Sequence, residues 1–333
     1  MRRSWGTPSR SARCRSPSAS SGSRDRTGSS WLGPSRAAPD AAPRFVNPLA
    51  LLALGLAVAG GVYALDRVAN SIVRPVPRLP DRSVPDSGLE HEDLVIRHHG
   101  HELAAWLIGG SSATGKPLLL IAHGWGASYG TVLQLAEPLV RSGHEVLLFD
   151  MRGHGRNRAA PFVTVRHLRD DVMAVVRYAG ERFPGRPLVL VGHSFGGAAS
   201  VLAAAEGARV AGLVLIATPS DVRRITAEFL TAKGMPGSLL VAVLRPFWWW
   251  RIGGTFRPHS PERRLGELDV PVLILQPEHD TRVHRGHAER LSLAAGVPYQ
   301  IIPDCEHTDV LAAPLTVELV ESFVASLDTA RRL

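Results

Sequence analysis

Ser194, Asp280 and His307 are a nucleophile, an acid and a base in chain order, and each stands a few residues beyond a short apolar run. Ser194 is the centre of Gly192-His193-Ser194-Phe195-Gly196, which follows the run 188–191 and opens an alanine-rich stretch. A serine hydroxyl is a weak nucleophile at neutral pH. It needs a histidine to take its proton and a carboxylate to hold that histidine. Asp280 closes Gln276-Pro277-Glu278-His279-Asp280 after the run 270–275, and His307 follows the run 299–302, flanked by Asp304 and Asp309. Glu278 is an alternative acid. Asp280 is preferred because the turn residues between it and the strand let it reach back to the imidazole.

Acyl transfer through a serine also needs two aligned N–H donors for the intermediate's oxygen. The residue after the nucleophile, Phe195, offers one. His123-Gly124-Trp125-Gly126, directly after the run 118–122, offers the other from Trp125. An ordinary strand-to-helix turn would be met by the same four residues. His123 and the ring-rich stretch Phe247-Trp248-Trp249-Trp250 are the candidate substrate contacts, although indoles there could equally pack on the helices of the sheet.

Metal and cofactor chemistry is not expected. His98, His99 and His101 cluster at a turn without carboxylates at metal-ligand spacing, and they are read as exposed polar turn residues. Cys305 is read as a small packed side chain. With only two cysteines in 333 residues, a disulfide scaffold and a cysteine-rich zinc module are excluded.

The elements that must position these groups alternate regularly. A hairpin is expected over 93–98 and 102–108, turning at Gly100. Parallel strands are expected over 117–122, 145–149, 188–191, 212–217, 272–275 and 300–302, because short continuous apolar runs bounded by Gly, Pro and helical stretches mark strands buried on both faces. Helices fill the gaps over 129–141, 164–182, 196–206, 285–295 and 315–327. The fold class is α/β, a mostly parallel doubly wound sheet. About fifty residues separate Pro219 from Asp269, more than a plain crossover needs, and read as an inserted helical cap over 220–268.

Ahead of the domain, expected over 89–333, the chain divides in three. Residues 1–44 are rich in Ser, Arg, Pro and Gly and cannot bury enough apolar surface to offset ordering entropy. Residues 45–65 are uncharged and apolar, long enough to cross a bilayer. A secretory signal ending at Ala57-Val58-Ala59 is the alternative. Residues 66–88, with Pro75, Pro77, Pro80 and Pro85, read as a linker, so the apolar segment should be separable from catalysis. Nine arginines against Asp25 and Asp40 put nearly all of the net charge of +8 into residues 1–46. The body is close to neutral and carries no basic recognition motif, so nucleic acid is not an expected partner. With that tail present, the positive-inside rule keeps it cytoplasmic and sends the domain outward. With a start near Val46, Arg67, Arg74, Arg78 and Arg82 would point the domain inward.

The oxyanion loop at 123–126, Asp150-Met151-Arg152-Gly153-His154-Gly155, the Ser194 turn, the Asp280 turn and the His307 turn together resemble the α/β-hydrolase superfamily from about Leu89 onward. The arrangement is most similar to its serine aminopeptidase and monoacylglycerol-lipase-like branch. Pro277 stands where that branch usually has Gly, and Arg156-Asn157 follows Gly155 where Ser is common. The resemblance implies a serine hydrolase acting on small acyl substrates, carboxylic esters first, through an acyl-enzyme. An amidase or aminopeptidase, a thioesterase or an acyltransferase would use the same triad, and a catalytically silent, membrane-tethered binding protein is the reading from another class.

Overall fold

The computed structural model describes residues 47–76, 79–80, 82–110, 115–157, 159–254 and 257–332. The Arg/Ser-rich tail of the sequence analysis, with the first two residues of the apolar segment, lies outside them.

An eight-stranded sheet carries the molecule: β1 His91–His98, β2 His101–Ile108, β3 Leu118–Ala122, β4 Glu145–Phe149, β5 Leu188–His193, β6 Gly212–Ile216, β7 Val272–Pro277 and β8 Tyr299–Ile302. The spatial order is β1-β2-β4-β3-β5-β6-β7-β8. β1 and β2 form an antiparallel hairpin closed by the pair His98 and His101, and β2 meets β4 antiparallel. All pairings from β4 to β8 are parallel. Every residue of β3, β4, β5 and β6 is buried, which explains why, apart from Glu145 and His193 at strand ends, their sequences are apolar and do not alternate.

Helices cover both faces. α2 (Tyr129–Arg141) and α9 (Pro314–Arg332) pack on the side of Leu119 and Ile121. α3 (Val165–Arg182), α4 (Phe195–Ala205) and α8 (Gly286–Ala295) pack on the side of Leu118 and Leu120. Between β6 and β7 the chain adds α5 (Val222–Ala232), α6 (Gly237–Ile252) and the short α7 (Pro261–Leu265). Asp221 starts α5 by accepting the N–H groups of Arg223 and Arg224.

α1 spans Pro48–Ile72 and begins with the Asn47 side chain accepting the Leu49 N–H at 2.9 Å. It therefore continues past the apolar segment through Asp66–Ile72, where a linker was expected. The reason is tertiary. The N–H of Trp248 Nε1 donates to the Ala69 carbonyl at 2.8 Å, Arg251 meets Asp66 at 2.9 Å, and Asn70 donates to the Pro161 carbonyl at 3.2 Å. Beyond the helix, Val163 N–H donates to Val73 O at 2.6 Å, Arg82 pairs with Glu137 of α2 at 2.7 Å, and Val84 is fully buried in the cluster that holds Tyr129. Val73, Arg82 and Val84 thus fasten this stretch to the body, because Pro removes donors without preventing apolar burial.

The histidine turn also differs from expectation. His99 and Gly100 take positive φ (44° and 75°), which a two-residue hairpin turn requires. His98 is buried and accepts from the Arg177 guanidinium at 3.1 Å, while His99 and His101 are exposed.

Candidate active site

Ser194 sits at the junction of β5 and α4 with φ 54° and ψ −123°, a conformation that L residues rarely adopt. Two close approaches make the turn possible. A Cβ on Gly192 would fall 2.3 Å from Gly197 Cα, and one on Gly196 would fall 2.2 Å from the Ala122 carbonyl oxygen. The Ser194 N–H donates to Ile216 O at 2.8 Å, fixing the turn to the end of β6.

The candidate acid and base, Asp280 and His307, stand past the ends of β7 and β8. Glu278 N–H donates to Ile302 O at 3.0 Å and His279 N–H to Cys305 O at 2.9 Å, so the turns after β7 and β8 are held to each other. Across this contact Asp280 Oδ2 and His307 Nδ1 are 2.8 Å apart. Asp280 Oδ1 accepts the N–H groups of Arg282 and Val283 at 2.9 and 2.8 Å. Burial alone would push the Asp280 carboxyl up. The His307 hydrogen bond and charge, with the two backbone donors, outweigh it and hold Asp280 below the usual carboxylate range. Glu278 is exposed and accepts the Asp304 N–H at 3.2 Å, turned away from that pairing.

His193, which the sequence analysis did not single out, joins the two halves. Its Nε2–H donates to the His307 carbonyl at 2.8 Å, and the two rings lie 4.7 Å apart. Burial pushes the His193 imidazole down to about 3, so it stays neutral. The Ser194 turn and the His307 loop are thereby one unit.

The 123–126 loop reaches the same place. A Cβ on Gly124 would stand 3.0 Å from Ser194 Cβ, and the Trp125 and Phe195 rings are 6.0 Å apart. The backbone N–H groups of Trp125 and Phe195 have no acceptor among the described residues.

His123, the candidate substrate contact, is engaged within the fold. It is fully buried, donates through Nδ1 to Gly124 O at 2.8 Å and accepts the Met151 N–H at Nε2 at 3.0 Å. Burial lowers it to about 4, which keeps Nε2 free to accept. Asp150 and Asn157 complete this brace. Asp150 accepts the N–H groups of Tyr129 and Arg156, each at 2.8 Å, and Asn157 links Asp150 O at 2.6 Å to Ala104 N at 2.9 Å. Asn157 belongs to one of the two departures from the branch pattern, and it ties the loop after β4 to β2. A buried aspartate in a Gly-rich loop was the available signal.

The cap rings are divided differently from the pocket lining suggested by sequence. Trp248 is buried against Ala69 of α1 with Leu230, Val241 and Leu244, and Phe247 packs partly on the same cluster. Trp249 and Trp250 are exposed, with Trp250 edge-on to Phe162. None of the four rings has a described contact with Ser194, Asp280 or His307. Among the described residues, the one group spaced for a metal ion is the exposed Glu278, His279 and Asp304, not the histidine turn.

A family model described as serine aminopeptidase, S33, matches residues 114–251. Rat monoglyceride lipase is 32% identical over 202 residues, 59% of this chain and 59% of the relative. Human monoglyceride lipase is 34% identical over 147 residues, 42% of this chain and 46% of the relative. The chain thus spans about half to three fifths of the length of these curated relatives. An uncharacterized protein of Escherichia coli K12, YfhR, is 25% identical over 77% of this chain and 86% of its own length. Among solved structures, the Pyrococcus furiosus esterase Pf2001 superposes with TM-score 0.59 at 20% identity, covering 77% of this chain and 96% of that one. A proline iminopeptidase of Mycobacterium smegmatis superposes with TM-score 0.57 at 18% identity, covering 72% and 100%. These last two likenesses are likenesses of fold. The sheet order and these likenesses agree, and the chain has the α/β-hydrolase fold.

Proposed function

We propose that this chain is a serine hydrolase that cleaves carboxylic esters through an acyl-enzyme. The observation that carries the reading is the buried Asp280–His307 pair, held by His193 to the strained turn that bears Ser194. In this mechanism Ser194 Oγ attacks the ester carbonyl as its proton passes to His307 Nε2. The carbonyl oxygen gains the electron pair and is met by the N–H groups of Trp125 and Phe195. Collapse expels the alcohol, which leaves with the proton from His307. A water molecule, deprotonated by His307, then attacks the acyl-serine and releases the acid. Asp280 does not change protonation; it orients the imidazole and stabilises its charged form.

Lipid-like acyl esters are the favoured substrates within that class. Two observations support this: the relatives named monoglyceride lipase, and α1, which is long and apolar enough to cross a membrane. The apolar part of α1 is taken as a single membrane anchor. A signal segment would have the same length and composition.

A panel of carboxylic esters and aminoacyl amides, assayed with the full chain in detergent, tests the reaction class. Esters should turn over faster than amides of the same acyl group, and Ser194→Ala should lower ester turnover by about 10⁴-fold or more. Amide turnover exceeding ester turnover would move the assignment to an amidase or aminopeptidase.

A further inference from the structure

We propose that the outer face of the cap is a lipid-docking surface, seated in the membrane interface by α1 itself. This rests on α1 lying in a bilayer, as argued above. α6 is apolar on two sides. Its inner row, Val241, Leu244 and Trp248, is buried against Ala69 and Leu230. Its outer row, Leu239, Val243, Pro246 and Trp250, follows the spacing of one helix face and is exposed, with only Trp250 touched from the side by Phe162 and Arg251; Leu239 is 62%, Val243 41% and Trp250 56% exposed. Phe229 of α5 is 55% exposed and Trp249 56%. Single exposed apolar residues are ordinary, whereas a continuous row with neighbouring indoles calls for an occupant.

The path of α1 identifies that occupant. Asp66 and Ala69 are fastened to Arg251 and Trp248, in the last turn of α6. From Asp66 toward its start, residues 53–65 of α1 are exposed and apolar. The apolar helix therefore leaves the fold beside the end of α6 that carries Trp249 and Trp250. Indoles and arginines are the side chains that favour the boundary between hydrocarbon and headgroups. α6 contains no acidic residue, and Arg245, exposed one turn before Trp249, has no ion-pair partner among the described residues. That unpaired cation suits phosphate headgroups. A lipid surface fits all of these features together, and it would bring the cap to the phase in which an acyl ester substrate resides.

The test uses the full chain with Cys14→Ser, in which the remaining Cys305 is buried. Val243→Cys, Leu239→Cys and, as a control, Leu293→Cys each carry a nitrobenzoxadiazole label; Leu293 is 86% exposed on α8. The labelled proteins are reconstituted into phosphatidylcholine–phosphatidylglycerol vesicles and floated. Flotation that survives carbonate supports α1 as the anchor. In floated protein, labels at 243 and 239 should be quenched several-fold more by shallow spin-labelled lipid than the label at 293, and less by aqueous iodide. Floated protein in which 243 and 239 respond like 293 overturns the docking proposal and leaves the anchor standing. Labels shielded from iodide but untouched by lipid quenchers mean that protein covers the face, a second copy included, and also overturn it. Protein that stays at the bottom of the gradient overturns the anchor and the docking proposal together.

Discussion

His307 Nδ1 is engaged by Asp280, and Glu278, two positions earlier in the chain, bonds elsewhere. Asp280→Asn should therefore lower ester turnover on the order of 10⁴-fold, as expected when the acid that orients a triad histidine is lost. Glu278→Gln should change it less than about threefold, within the range of an exposed substitution. A comparison of kcat for the two variants checks this, and the reverse ranking would move the acid to Glu278. The three candidate residues were legible because each follows its own strand end, a local pattern. The bracing roles of His193, Asp150 and Asn157 were not, although Asp150 and Asn157 stand in motifs that the sequence displays. The partner of His193 is 114 positions away, and that of Asn157 at Ala104 is 53 away. No local pattern carries a pairing of that kind, since one buried histidine in a glycine-rich turn satisfies many folds.

At the scale of elements, the strands and body helices follow expectation closely because hydrophobic period and glycine punctuation are properties of each segment alone. α1 and the cap do not. Trp248 pairs with Ala69 across 179 positions, and an apolar run contains no signal for which apolar neighbour it will meet. The consequence is that α1 is not cleanly separable from the domain. A chain starting at residue 64 keeps Asp66, Ala69 and Val73, whereas one starting at residue 76 strips α6 of all three. The second leaves the Trp248 N–H without its acceptor and Arg251 without its carboxylate partner, and it exposes the inner row. Those losses come to roughly 2–4 kcal/mol. For a domain of this size the melting temperature should fall by about 5–10 °C. Thermal unfolding of the two chains side by side reads the difference, and identical midpoints would show that the contact with α1 contributes nothing.

At the scale of the whole molecule, three fully or nearly buried histidines make the fold acid-sensitive. Burial lowers His123 and His154 to about 4 and His193 to about 3, from 6.5 in the unfolded chain. Above pH 6.5 neither state binds these protons and they have no effect. As the pH falls below 6.5 the unfolded chain binds them first, so stability decreases, by up to about 1.4 kcal/mol per pH unit for each histidine, until the folded-state values are reached. Asp280 acts lower still: its stabilising contribution is present above the ordinary carboxylate range and is lost as pH falls through its depressed value. Chemical denaturation midpoints at pH 7, 6 and 5 should decline progressively, with the wild-type loss between pH 7 and 5 exceeding that of a His154→Gln variant. A flat profile would mean that these rings are not held neutral.

In the proposed reaction Ser194 is the group that takes the acyl chain. The most direct measurement is to react the full chain with a fluorophosphonate, digest it and map the adduct by mass spectrometry. The expected result is one phosphonylated site, on the peptide containing Gly192-His193-Ser194-Phe195-Gly196, localised to Ser194, absent from Ser194→Ala and strongly slowed in His307→Ala. An adduct on another residue, or labelling of Ser194→Ala at the wild-type rate, would contradict it.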